Sequence, residues 1–227
     1  MQFCARVLAM NYFQKRIRRL RGLGYLLQSA PFVRAVIVNG SMSFGGAGKK
    51  SDIDLLIITT PKRLYTARLF ATLITSFTGH RRKPFSNFVA GQFCLNYYLT
   101  SDNPNIFPQD RPNALANRYA IKIWDRGGEH ERLLRQNFWM RKFNPEVRNM
   151  HQFEIMRHDF PLNRLIIYSI GRLFWELIFF GRFGDLCEKK LADWQKKKIK
   201  RGLKKLPTVA GIYISDNDLR LWGREFR

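Results

Sequence analysis

Acidic side chains are what this sequence has least of for its size. Its 227 residues carry 17 Asp and Glu against 40 Lys and Arg, a formal net charge of +23. So one-sided a charge repels itself in the folded state, and its natural partner is a polyanion. Nucleic acid ranks ahead of an anionic membrane surface, which Phe179, Phe180 and Phe183 next to Lys189–Lys205 would meet, and a membrane is the less expected partner. Cysteine is scarce as well. Cys4, Cys94 and Cys187 are odd in number and far apart, which excludes a disulfide framework or a zinc knuckle and suits a reducing cytoplasm. Long apolar runs are missing too. The richest stretch, LIIYSIGRLFWELIFF over 165–180, is interrupted by Arg172 and Glu176, whereas a spanning helix needs about 20 largely uncharged residues. It reads as a buried or amphipathic helix. Arg6 and the basic residues from Lys15 onward come too early for the apolar segment of a signal peptide, so the expected compartment is the cytoplasm.

Aromatic and aliphatic residues are plentiful: 45% of the chain is hydrophobic, with 19 Phe, 8 Tyr and 5 Trp, which excludes a disordered polymer. Residues 5–28 have helical periodicity, with Leu8, Tyr12, Leu20, Leu23 and Leu27 as the apolar positions. RAVIVNG (34–40) is a β-branched run stopped by glycine, DIDLLIIT (52–59) a second strand and FCLNYYL (93–99) a third. A helix is expected from Pro61 to Thr78. Beyond residue 112 the pattern becomes helical over 113–121, 129–142, 148–157, 162–181 and 184–205. IKIWD (121–125) is a possible extra strand, and 211–222 a late strand or hairpin. The class is α+β. The division expected is a strand-bearing domain over 1–125 and a helical, basic C-terminal region over 126–227.

The candidate site lies in VNGSMSFGGAGKKSDIDLLIIT (38–59). Strand alternation places Asp52 and Asp54 on one face with Cα atoms about 7 Å apart. At that spacing two carboxylates can converge on a hard divalent cation; without one, mutual repulsion leaves one of them inclined to keep its proton. The first 110 residues contain only four acids, Asp52, Asp54, Asp102 and Asp110, and half of them are this pair. The plain alternative is a solvated strand entrance with Ser-Asp turn chemistry. The loop upstream tilts the balance: Gly40 and Ser41 end a strand where amides and a hydroxyl can meet phosphate oxygens, Gly45, Gly46 and Gly48 permit close approach, and Lys49, Lys50 and Ser51 add cations and a hydroxyl. A P-loop is excluded. In G-x-x-x-x-G-K-[ST] the first glycine would fall on Ser43 and the hydroxyl on Lys50, and the loop runs into a strand rather than a helix.

Gly40-Ser41, ten residues, then Asp52-Ile53-Asp54 and an apolar strand resembles the polymerase-beta-like nucleotidyltransferase superfamily over roughly residues 20–100. The chain as a whole is similar to uncharacterised bacterial proteins known only for a nucleotidyltransferase domain. The resemblance implies a small mixed sheet of nucleotidyltransferase topology with flanking helices. It also implies transfer of a nucleoside monophosphate from an NTP to an acceptor, Asp52 and Asp54 holding Mg2+ (or Mn2+) and Gly40-Ser41 contacting the triphosphate. The family commonly adds a third carboxylate on a later strand. The matching strand here offers Asn96, which brings no charge and cannot act as a base. Asp102 and the more distant Asp125 are the other acids within reach of consideration.

KKLADWQKKKIKRGLKK (189–205) holds nine basic residues in seventeen. Leu191, Trp194, Ile199, Leu203 and Leu206 trace a stripe that leaves most lysines facing water. Lys196, Lys197, Lys198, Lys200 and Arg201 are the candidate nucleic-acid contacts, with Arg16–Arg21 and HRRK (80–83) as possible extensions. RNA is therefore the expected acceptor. The alternatives are an inactive nucleotidyltransferase fold that binds nucleic acid, or a toxin–antitoxin component with a protein partner.

Overall fold

The structure, a computed structural model, describes residues 2–83, 89–144, 146–147, 149–158, 166–204 and 212–221. Six strands form one mixed sheet in the order β4-β1-β2-β3-β6-β5: β1 Val33–Val38, β2 Ile53–Thr59, β3 Phe93–Thr100, β4 Ile121–Asp125, β5 Tyr213–Ile214 and β6 Asp218–Arg220. Only the β2–β3 pair is parallel, and the helix α2 (Leu64–Phe77) makes the crossover that a parallel pair requires. The other helices are α1 Gln2–Leu27, α3 Arg111–Asn117, α4 Glu129–Gln136, α5 Met150–His158, α6 Ile166–Ile178 and α7 Gly181–Leu203.

Both faces of the sheet are covered, which is why its central strands read as continuous apolar runs. One layer gathers Leu20, Leu23 and Leu27 of α1, Leu64, Tyr65 and Ala71 of α2 and Ala192 of α7 over Val36, Val38, Leu55 and Ile57. The opposite layer gathers Ala114, Leu133 and Met140 over Ala35, Ile37, Leu56 and Ile58. The two strand sets alternate by one residue, as the pleat dictates. α1 turns a stripe of Phe13, Ile17, Leu20, Leu23 and Leu27 inward. Tyr12, expected on that stripe, stands one position off it and is exposed.

The loop expected over 41–51 contains a single 3-10 turn, Gly40–Phe44. α2 begins at Leu64 rather than at Pro61, because Lys62 takes a left-handed φ of 59° that stops a helix from running through it. Its first amides are satisfied from elsewhere: Tyr65 N and Thr66 N donate to the Glu188 carboxylate of α7, at 2.7 and 2.8 Å. A carboxylate at a helix N-terminus complements the positive end of the macrodipole and satisfies otherwise unpaired amides, so this contact fixes α7 on α2. Among the described residues beyond 125, α4, α5, α6 and α7 fall on the helical stretches expected, residues 148, 162–165 and 205 of those stretches lying outside the described residues. The late hairpin expected over 211–222 is present as β5 and β6, and it joins the sheet through the pairing of β6 with β3. Among the described residues no helix is long and apolar enough to cross a membrane.

Candidate metal centre

Asp52 ends the loop and Asp54 lies one step inside β2, on the face that carries Leu56 and Ile58. The two carboxylates and the Cys94 thiol converge, one ligand atom from each lying within 4.8 Å of the others. Alternation brought the aspartates together as expected. The thiol was not expected, and the sheet register explains it. Asp54 stands opposite Cys94 and Leu56 opposite Tyr97, so β3 spends three steps where β2 spends two. Cys94 faces Asp54 as its partner in the register, and the extra residue lets Asn96 face the same carboxylate before Tyr97 resumes the pairing, in the manner of a bulge that re-aims a side chain.

The electrostatics follow from crowding. Packing around Asp54, and then the charge of Asp52 beside it, push its carboxyl up to about 7. Asn96 Nδ2 donates to Asp54 Oδ1 at 3.4 Å, a long bond that favours the charged form weakly. Burial, with the two carboxylates adding to it, pushes the Cys94 thiol up and keeps it protonated. Asp52 has a cation of its own, Arg82 Nη1 at 2.6 Å from Oδ2, and the same guanidinium lies 3.7 Å from Cys94 Sγ.

The loop is built against this corner. Gly40 has φ +64°, and a Cβ placed there would come within 2.7 Å of Asp54 Oδ2; only glycine lets the chain lie directly on the carboxylate. Gly45 also has positive φ, +70°, with no room for a side chain beside the Asn149 carbonyl. Ser43 Oγ donates to Gly40 O at 2.8 Å and Gly46 N to Ser41 O at 2.8 Å, closing the turn on itself. Ser51 takes part in the same closure, its hydroxyl accepting from Gly48 N at 3.0 Å. Arg16 of α1 is buried and donates through Nη2 to the carbonyls of Lys49 and Ser51 at 3.0 and 2.7 Å. It braces the loop and is not part of an outward basic track. Lys49 and Lys50 are exposed at the rim.

The other acids are elsewhere. Asp102 follows the far end of β3, and since β2 and β3 run parallel it is about 20 Å along the sheet from the pair. Asp125, at the far end of β4, accepts from the amides of Gly127, Glu129 and His130, and Asp110 caps α3 through Asn113 N. Asn96 is thus present beside the pair, accompanied by a thiol and a guanidinium. Sequence reasoning passed over Cys94 although its spacing of two from Asn96 is the same-face signal that identified the aspartates. Arg82 carried no such signal, since its approach to Asp52 depends on the path of the loop.

The basic cluster lies on the other layer. α7 packs with α2 over the face opposite to Asp54. Lys197, Lys198, Lys200 and Arg201 are exposed there, whereas Lys196 pairs with Asp216 at 2.6 Å. Leu191 and Ile199 of the expected stripe pack against the core beside the buried Gly184, Ala192 and Gln195, whereas Trp194, also expected there, is exposed with Lys198 Nζ over its ring at 5.2 Å. Leu206 lies outside the described residues.

The donor set suits a divalent ion. Two carboxylate oxygens and a sulfur within 4.8 Å of one another can close on an ion with bonds of about 2.0–2.3 Å after small rotations. The sulfur departs from the all-oxygen set that Mg2+ and Mn2+ usually take, and of those two ions Mn2+ is the softer and tolerates sulfur better. No family model matches this chain, and no match was found among curated proteins or solved structures.

Proposed function

We propose that this protein is a metal-dependent nucleotidyltransferase, using Asp52, Asp54 and Cys94 to hold a divalent ion and the Gly40–Ser51 loop to seat an NTP. One observation carries the reading: Gly40 is in a left-handed conformation, and a Cβ added to it would lie only 2.7 Å from Asp54 Oδ2, so the Gly-Ser turn passes directly beside the carboxylate. A loop shaped so brings anything lying along it to the carboxylates. α1, β1, the Gly-Ser turn and β2 follow one another in the order the resemblance implies, which supports the same reading.

In the reaction the acceptor hydroxyl oxygen bonds to the α-phosphorus, the α–β bridging P–O bond breaks, and pyrophosphate departs with its electron pair while the hydroxyl proton passes to solvent. Asp52, Asp54 and Cys94 would hold the ion, which would supply neutralisation of the charge on the phosphoryl group and on pyrophosphate. The chain supplies placement. Asn96 orients Asp54, and Arg16 fixes the loop. Arg82 holds one oxygen of Asp52 and leaves the other for an ion, and its guanidinium, beside the carboxylates, is suited to phosphate oxygens. Lys49 and Lys50 at the rim, and a net charge of +23, favour RNA as acceptor over a neutral small molecule.

Incubation with each α-labelled NTP, total RNA and Mn2+ or Mg2+ is expected to label RNA, and Asp54→Asn to reduce labelling to background; absence of labelling with every NTP and either ion rejects transfer. Cys94→Asp is expected to move the ion preference from Mn2+ toward Mg2+, and an unchanged preference would remove the thiol from the ligand set.

A second reading, nucleic-acid binding without turnover, is favoured by one feature: Arg82 already neutralises Asp52 at 2.6 Å, as a fixed counter-ion would. It requires a salt-sensitive gel shift that survives the double change Asp52→Asn, Asp54→Asn in a protein that labels nothing.

A further inference from the structure

Helix α6 is built inside out. Its 13 residues make a rod about 20 Å long. Arg172, at 1% exposure, and Glu176 face the body of the protein. There the Glu176 carboxylate accepts from Phe32 N at 3.0 Å and from Arg126 at 2.8 Å. Trp175 and Phe179 pack on Phe70 of α2, with ring centroids 5.2 and 6.0 Å away. The outward positions are Ile166, Ile170, Leu173, Phe174, Leu177 and Ile178, between 39% and 79% exposed. None of them is polar. The apolar surface continues around the corner into α7 through Phe180, Phe183 and Leu186, at 78%, 58% and 57%. A monomer in water seldom leaves so many large side chains contiguous and uncovered.

Charge decides what covers them. Of the charged residues in the first half of α7, Asp185 is paired with Arg63 at 2.7 Å, and Glu188 caps α2. Arg182, Lys189 and Lys190 are exposed, so the rim of the apolar surface is positive. A second copy would bring the same rim and another +23 against it. An RNA backbone offers nothing to aliphatic side chains. A bilayer surface carrying anionic phospholipids meets both requirements, with an acyl boundary for the isoleucines and phenylalanines and headgroups for the three cations.

We propose that α6 and the first turns of α7 lie flat on an anionic phospholipid surface, with the outward face of α6 entering the headgroup–acyl boundary. A helix of this length cannot span the apolar core, which is about 30 Å thick; it docks. The contact uses residues separate from the carboxylate corner and from the distal cations Lys197–Arg201.

The test is co-sedimentation of the full chain with vesicles of phosphatidylcholine alone or with about 30% phosphatidylglycerol. Anionic vesicles should bind about tenfold more protein than neutral ones. Leu177→Glu with Ile170→Glu should cost about tenfold or more, and Arg182→Glu, Lys189→Glu and Lys190→Glu together should cost a similar factor and remove the salt dependence. Both variants change exposed side chains, and far-UV circular dichroism establishes that they fold. The proposal is overturned if anionic vesicles fail to bind the protein, or if binding is indifferent to Leu177→Glu and Ile170→Glu, which would mean charge alone. A vesicle-free dimer in sedimentation velocity that those two substitutions dissociate would also overturn it, by making a second copy the occupant.

Discussion

The carboxylate corner and helix α6 both break the rule that charge faces water and hydrocarbon faces the core, and they break it in different ways. At the corner, two anions are crowded into packed surroundings, and the protein answers from within, by Arg82 on Asp52 and Asn96 on Asp54. In α6 the inward charges are likewise answered, Arg172 and Arg126 by Glu176. The outward hydrocarbon is answered by nothing among the described residues. Local violations of sequence logic tend to mark places where something else is meant to bind, and the contrast separates two kinds. On the two proposals, one is an imbalance of charge that a bound ion would correct, the other an imbalance of solvation that a membrane surface would correct.

The comparison predicts opposite outcomes for neighbouring substitutions on α6. Glu176→Leu leaves Arg172 buried without its carboxylate and removes the acceptor of Phe32 N, and should lower unfolding stability by about 3 kcal/mol in urea denaturation. The corner is tested through pH. The Asp54 carboxyl sits at about 7 in the folded protein against an ordinary 3.8. Below about pH 4 it is protonated in both states. Between pH 4 and 7 the unfolded chain ionises while the folded one keeps its proton, so the metal-free protein loses stability as pH rises through that window. Asp54→Asn should be free of this loss, and its melting temperature should exceed that of the unaltered protein by about 5 °C at pH 8 while matching it near pH 4. An equal difference at both pH values would mean that Asp54 is not held protonated.

Gly40→Ala is next in size. A left-handed φ and a contact of 2.7 Å to Asp54 should together cost about 1–2 kcal/mol and weaken Mn2+ binding by titration calorimetry more than the loss of stability alone would. Leu177→Glu is the smallest. With Leu177 at 75% exposure, stability should change by less than about 0.5 kcal/mol, although the residue adjoins Glu176. A large loss would show that the outward face is packed.

Much of the strand framework was legible because β1, β2 and β3 are short β-branched or aromatic runs with clear stops, and because Asp52 and Asp54 obey a period of two that needs no tertiary knowledge. Cys94 was legible in principle by the same period and was overlooked because a thiol does not announce itself as a ligand among carboxylates. Arg16 and Arg82 were not legible. Their roles depend on which loop carbonyl or carboxylate lies a few ångströms away after folding, and a basic residue in a chain of 40 basic residues carries no distinguishing mark. Trp194 and Tyr12 were assigned to packed stripes because large apolar residues are ordinarily buried, yet both stand exposed with a lysine ammonium above the ring. α6 was legible as a buried or amphipathic helix, and it is amphipathic. Its pattern has a good helical period, but periodicity alone does not tell which side of the helix meets the protein.

The extra residue in β3 has a consequence for how such a centre changes over generations. Because three steps of β3 face two of β2, deleting a single codon there would slide the strand's reading against its neighbour and exchange the groups offered to Asp54 in one event. The cation preference proposed for the corner would therefore be open to revision by a one-residue shift along the sheet as well as by replacement of Asp52, Asp54 or Cys94.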